Sequence, residues 1–303
     1  MIIPSKINKG DEVILIAPSR KVDLSALEIT EEWLKKQHLA PLRGEHILKE
    51  EGIFAGTDSE RKHDLQWAFD HPTAKVIWCY RGGYGSARLL EDINPSRFLE
   101  KPKWIMGFSD ITFLHCFSNI ILNTASIHAT MPINVPDNTL KSMKSLSDFL
   151  FYGSLQYEWE ENKHNKYGQI EGKIVGGNLA VLCATLGTNY QPDFEGNILF
   201  IEDIDEYYYA IDRLLWQLKF SGVFHHIGGL ILGHFTKMKD NTIPFGLSIE
   251  EMVLEKIQEF EFPVAFNFPG GHENENWTIP LGVDMNFTVT KNQINAVKNW
   301  LKE

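Results

Sequence analysis

The chain has 303 residues, with 29 lysines and arginines against 40 aspartates and glutamates, for a formal net charge of −11. At roughly 100–200 residues per domain the length predicts two domains, and 43% hydrophobic with 12% aromatic content is that of a folded chain, not a disordered one. Net negative charge of this size excludes non-specific binding to nucleic acid or an anionic membrane, which need a positive field, while leaving room for a small anionic substrate in a locally basic cleft.

The first half alternates short apolar runs with amphipathic ones. Val13-Ile14-Leu15-Ile16-Ala17, closed by Pro18-Ser19, reads as a strand buried on both faces. A helix is predicted over about 24–37. Thr57 with Glu60 is a capping-box signature, and the helix it opens carries Leu65, Ala68 and Phe69 and stops before Pro72. Residues 75–80 form the next strand and run straight into Arg81-Gly82-Gly83-Tyr84-Gly85. Another strand, 103–108, ends at Ser109-Asp110, with a helix expected over 111–122. This succession of strand, loop and helix predicts a doubly wound α/β domain.

Residues 131–138 read as a loop, followed by a helix with Leu146, Phe149 and Leu150 on one face. The strongly polar stretch 158–168 marks the expected boundary, giving an α/β domain over 1–155 and a strand-rich α/β domain over 168–303. The latter holds predicted strands at 196–202, 229–233 and 263–266, a helix over 211–220, and a hairpin in which 287–290 and 293–297 flank Lys291-Asn292. Cys79, Cys116 and Cys183 are odd in number and widely spaced. A disulfide framework or four-cysteine zinc site is not expected, and a reducing compartment fits. Residues 1–6 lack the pattern of a signal peptide, and no apolar run approaches membrane-spanning length, so a cytoplasmic location is expected.

Ser109 sits at a sharp strand-to-helix join, where a hydroxyl is lifted clear of the sheet beside free backbone N–H groups. It reads either as a nucleophile or as a helix cap. The loop 81–85 reads as a phosphate cradle, an oxyanion donor or a tight turn; it is neither Gly-x-Gly-x-x-Gly nor a P-loop, so a nucleotide cofactor is not expected. A serine nucleophile needs a base and an orienting acid. His272, in a glycine-rich loop, reads either as such a base or as a surface-loop histidine, and Glu202, at the end of an apolar run, reads either as a partly desolvated acid or as part of a solvated acidic loop. His225, His226 and His234 match no zinc spacing, and no metal is expected.

Several segments in order resemble the serine LD-carboxypeptidase family, which includes muramoyl-tetrapeptide carboxypeptidases and microcin C self-immunity peptidases. They are Lys9-Gly10-Asp11 with Ile16-Ala17-Pro18-Ser19, Phe54-Ala55-Gly56-Thr57-Asp58 with Arg61, Arg81-Gly82-Gly83-Tyr84-Gly85, and Gly107-Phe108-Ser109-Asp110-Ile111-Thr112. Further along come Gly176-Gly177-Asn178-Leu179, Leu199-Phe200-Ile201-Glu202-Asp203, and Gly271-His272 with Pro280-Leu281-Gly282. The resemblance implies a flavodoxin-like wound sheet joined to a smaller strand-rich C-terminal domain, with the active site between them and a homodimer. It implies Ser109 as nucleophile, His272 as general base, Glu202 as its orienting acid, and the N–H groups of Asp110 and Gly83 as oxyanion hole. Arg81, Tyr84, Ser19 and Asn178 are candidate wall residues, and Arg81 or Arg88 is a candidate cation for a substrate carboxylate. Ala129-Thr130 stands where relatives often have Gly-Pro after the histidine, which separates His128 from the family pattern. The implied activity is release of the C-terminal D-alanine from murein tetrapeptide in cell-wall recycling, with no cofactor. The alternatives are a microcin C-type hydrolase of peptidyl or aminoacyl nucleotides, and a non-catalytic ligand-binding protein.

Overall fold

The computed structural model describes residues 1–291 and 294–299. The apolar run near the N-terminus becomes strand β1 (Glu12–Ile16), buried from Val13 onward. Helix α1 (Leu24–Lys36) leads to β2 (Ala40–Arg43), and α2 (Asp58–Asp70) to β3 (Val76–Cys79). The α2 capping box forms as read: the Glu60 N–H donates to Thr57 Oγ1 at 3.2 Å and the Thr57 N–H to Glu60 Oε2 at 2.8 Å. A short α3 (Ser96–Glu100) precedes β4 (Trp104–Gly107). The single helix expected over 111–122 is instead three pieces. A 3-10 turn over Ser109–Ile111 feeds α4 (Thr112–Cys116), and a π-turn follows at Phe117–Ile121, where Ser118 Oγ and Asn119 Nδ2 both donate to the Thr124 carbonyl. Strand β5 (Ser126–His128) completes a parallel run in the order β2-β1-β3-β4-β5, the order of flavodoxin-like sheets.

Helix α5 (Leu140–Tyr152) carries Leu146, Phe149 and Leu150 buried, and ends at Gly153 in the left-handed region. The chain then enters a second sheet through β6 (Ser154–Glu158) and the long β7 (Gly168–Asn178). After α6 (Leu179–Thr185) come β8 (Ile198–Ile204), α7 (Tyr208–Phe220), α8 (Val223–His226), β9 (Gly229–Thr236), α9 (Ile249–Lys256) and β10 (Val264–Ala265). Strand β11 (Ile279–Leu281) crosses back and pairs antiparallel with β5, closing the first sheet, before β12 (Asp284–Val289) and β13 (Ile294–Asn299) pair antiparallel in the second. The hairpin is thus present as a strand pair; residues 292 and 293 of its turn lie outside the described residues.

The second sheet runs β10-β9-β8-β7-β12-β13-β6, seven strands against six in the first. It is the strand-rich second sheet that the resemblance implies. Sheet membership also changes before the polar stretch, at Ser154, and is reversed locally by β11. One hydrophobic core contains Trp78, Met106 and Ile127 from the first sheet together with Phe200, Ile231 and Ala265 from the second. A shared dry core of this kind resists relative domain motion and holds the carboxyl ends of β4 and β8 in fixed relation.

Candidate active site

Ser109 follows the buried strand β4 and has φ of 65°, a left-handed conformation that costs a non-glycine residue about 1–2 kcal/mol. No side-chain capping bond forms at this helix start, so the cap reading fails and the strain belongs to a strand-to-helix elbow. Its neighbour Phe108 sets its ring edge-on against the His272 imidazole, with centroids 4.8 Å apart. The glycine loop presses on the same residue. A Cβ at Gly82 would lie 2.8 Å from Ser109 Cβ, 2.9 Å from its Oγ and 3.0 Å from the Asp110 nitrogen. Only glycine admits that approach, and it brings the 82–83 peptide alongside the hydroxyl. The Asp110 N–H lies in a helical first turn, where donors lack intrahelical partners, and the Gly83 N–H donates to no described residue.

The Asp110 carboxylate points away from this opening. It accepts from Ser19 Oγ at 2.5 Å and from the Ser86 N–H at 2.9 Å, while Ser86 Oγ donates to the Asp110 carbonyl. Ser19 has no exposed surface; it braces the elbow from behind and is not a wall residue. Arg61, also buried, donates to the carbonyls of Pro18 and Gly85 and to Asp58, tying the loops after β1 and β3 together.

The candidate base and acid, His272 and Glu202, come from the second domain. Parallel pairing of β7 with β8 sets Asn178 beside Glu202 at the strands' carboxyl ends, where wound sheets bind ligands. Glu202 is fully buried and its Oε2 lies 2.6 Å from His272 Nδ1. A Cβ at Gly271, whose φ is 122°, would fall 2.9 Å from that same Oε2. Glycine there lets the acid and the histidine loop meet. Burial opposes charging His272, but the charge and hydrogen bond of Glu202 outweigh it, helped by Asp203 and Glu273, so its pKa is raised. Burial and the Glu202 charge push Asp203 up to about 7, against three hydrogen bonds that favour its ionised form.

The histidine loop is anchored, not free. The Gly271 N–H donates to Asn276 Oδ1 at 2.9 Å, the Asn276 N–H to Ser142 Oγ at 2.8 Å, and the Thr139 N–H to the Asn274 carbonyl at 2.9 Å. A second clasp joins the domains beside Ser109, where the Asn178 N–H donates to Thr112 Oγ1 at 3.0 Å. The Asn178 side chain accepts from the Val181 N–H and donates to Asp203. It is nearly buried, with one donor and one acceptor engaged in this network. Tyr84 is half exposed, against Phe54. Arg88 is bound by both oxygens of Asp58; Arg81 has no ion-pair partner among the described residues. His128 is buried between the Phe108 and Phe200 rings, and burial holds its pKa well below the ordinary value.

Sequence reading assigns no individual role to Gly82, Gly271, Thr112 or Asn276. The positions of the two glycines in their motifs were visible; the contacts that require them were not. For metals, Glu45, His46 and His63 bring ligand atoms within 4.8 Å of one another, but His46 Nδ1 is already held by Asp64 at 2.9 Å, and the group shares no residue with the triad. Among the described residues no such group includes His225, His226 or His234. No described helix is long and apolar enough to cross a membrane.

The family model for the LD-carboxypeptidase N-terminal domain matches residues 13–129 and that for the C-terminal domain matches 171–287. A probable murein peptide carboxypeptidase of Bacillus subtilis is 33% identical over 288 residues, covering 92% of this chain and 89% of its own. The murein tetrapeptide carboxypeptidase of Pseudomonas aeruginosa is 32% identical over 284 residues, covering 89% and 91%. The crystal structure of muramoyltetrapeptide carboxypeptidase from Oxalobacter formigenes superposes with a TM-score of 0.86 at 27% identity, over 94% of this chain and 98% of that one.

Proposed function

The chain belongs to the LD-carboxypeptidase family, and on that footing we propose that it is a cytoplasmic serine peptidase releasing the terminal D-alanine of murein tetrapeptide in cell-wall recycling. The observation that carries this reading is the 2.6 Å contact of Glu202 with His272 Nδ1, with Phe108, the residue before Ser109, against the same ring. The bond at Nδ1 leaves Nε2 as the basic nitrogen.

In the proposed reaction Ser109 Oγ attacks the carbonyl of the L,D peptide bond while His272 Nε2 takes its proton. Negative charge on the carbonyl oxygen is met by the N–H groups of Asp110 and Gly83, donors each worth roughly 3–4 kcal/mol in a measured protease case. The imidazolium, steadied by the buried Glu202 carboxylate, returns its proton to the leaving amine, and D-alanine departs. Water, activated by the same histidine, then cleaves the ester to Ser109. No metal or cofactor enters these steps. A homodimer, as the family resemblance implies, is part of the proposal.

The test is incubation with muramoyl tetrapeptide and mass analysis for loss of one alanine, with Ser109→Ala as control. Loss by the wild type alone supports the reading. Turnover retained by Ser109→Ala removes Ser109 as nucleophile. Tetrapeptide left intact while an aminoacyl nucleotide is cleaved moves the enzyme to the immunity reading.

A further inference from the structure

The proposed substrate ends in a carboxylate one residue beyond the bond that breaks, within about 4 Å of the scissile carbonyl. An acidic chain needs a local surplus of positive charge to hold it. The arginines around the nucleophile divide sharply by partner. Arg61 is buried among carbonyls and Asp58, and Arg88 is spent on Asp58. Arg81 and Arg20 form no ion pair or side-chain hydrogen bond among the described residues.

Arg20 follows the buried Ser19, off the end of β1, and its stem lies over Gly83. A Cβ at Gly83 would sit 2.5 Å from Arg20 Cδ and 2.7 Å from its Nε. The same construction at Gly82 lands on Ser109. The nucleophile and the Arg20 guanidinium therefore flank one dipeptide, whose N–H is the proposed oxyanion donor. Arg81 begins that loop and is half-buried. Burial and then the Arg20 charge lower its pKa, costs that an anionic ligand would relieve.

We propose that Arg20 and Arg81 form a carboxylate-binding subsite that takes the free C-terminal carboxylate of the substrate, an assignment that rests on the LD-carboxypeptidase reading above. Guanidinium groups suit this task because they present paired donors to a planar carboxylate. The subsite would select chains ending in a free D-amino acid against the same chains capped as amides.

The test compares a tetrapeptide ending in L,D-linked D-alanine with its C-terminal amide, using wild type, Arg20→Ala and Arg20→Lys. The wild type is expected to prefer the free acid. Arg20→Ala should lose about 10- to 100-fold in kcat/KM on the acid, chiefly through KM, the range of a lost charged hydrogen bond, and change little on the amide; Arg20→Lys should recover part of the loss. Labelling of Ser109 by a fluorophosphonate should be equal in all three, which establishes an intact nucleophile. An equal loss on acid and amide, or no loss on the acid, overturns the subsite while the functional reading stands. A wild type inactive on both substrates instead overturns the functional reading, and the subsite with it.

Discussion

Replacing Glu202 by glutamine separates catalysis from folding. Glu202 is fully buried; Oε2 meets His272 Nδ1 at 2.6 Å, and Oε1 has no hydrogen-bond partner among the described residues. The amide keeps the shape but removes the charge that stabilises the imidazolium as it holds the Ser109 proton. It also offers an NH2 group to Nδ1, which selects the wrong tautomer. The equivalent acid-to-amide change in a measured serine protease lowers kcat about 10⁴-fold, roughly 5.5 kcal/mol. Glu202→Gln is expected to lose about 10³- to 10⁴-fold in kcat on the tetrapeptide. Stability should move little or upward. A lost charged hydrogen bond costs about 1.5–3 kcal/mol, but the variant no longer desolvates a carboxylate, a penalty of several kcal/mol.

The pH dependence carries the sharper test. His272 is a base whose folded pKa is raised above its ordinary value of 6.5. Catalysis needs it neutral, so kcat/KM should rise with pH through a midpoint above 6.5. Its protonation stabilises the fold with an effect fully present below about 6.5 and lost as pH climbs through the folded value. In Glu202→Gln the acid limb should move to lower pH and that stability slope should flatten. The assay is kcat/KM and Tm at matched pH values over about pH 5 to 9. A kcat loss below about tenfold, or an acid limb that stays in place, would refute the argument and assign the orienting role elsewhere.

Two further variants probe the elbow. Ser109→Gly and Ser109→Ala should both be inactive, yet the glycine variant should be the more stable by about 0.5–1 kcal/mol, since relief of the left-handed backbone exceeds glycine's entropy cost; an equal or lower Tm would argue against strain at this position. Gly82→Ala should keep a native circular dichroism spectrum and lose about 10²-fold in kcat, because its methyl displaces Ser109 from its attacking position, whereas unchanged turnover would remove the loop from the site.

Local signals were legible where one segment decides its own structure. The β1 run, the α2 capping box and the Ser109 join each declare themselves within a few residues. The long strand β7 is readable in principle, since its first half alternates exposed and sheltered positions; Gln169, Glu171 and Lys173 follow directly on the polar stretch 158–168 and mask that alternation. The return of β11 to the first sheet had no local mark, because pairing across 150 or so residues of chain is decided by the shared core. Glu202 and His272 stand out as local candidates, and the family resemblance gives them their triad roles; their contact, 70 positions apart in sequence, depends on how β8 and the loop after β10 are set beside one another.

Charge shows the same division between what residues are and what they are paired with. Arg81 and Arg88 look equivalent in sequence, each beside the glycine loop. Folding gives Arg88 the half-exposed carboxylate of Asp58 and gives Arg81 no ion-pair partner among the described residues, while Arg20, distant in sequence, arrives over Gly83. A net charge of −11 is a sum over the whole surface, and at a Debye length of about 8 Å most of that surface is screened from the cleft. In the proposed subsite a carboxylate would meet the Arg20 and Arg81 guanidiniums, which have no ion-pair partner among the described residues, so a net acidic chain is compatible with that proposal, and the discriminating quantity is local pairing, not composition.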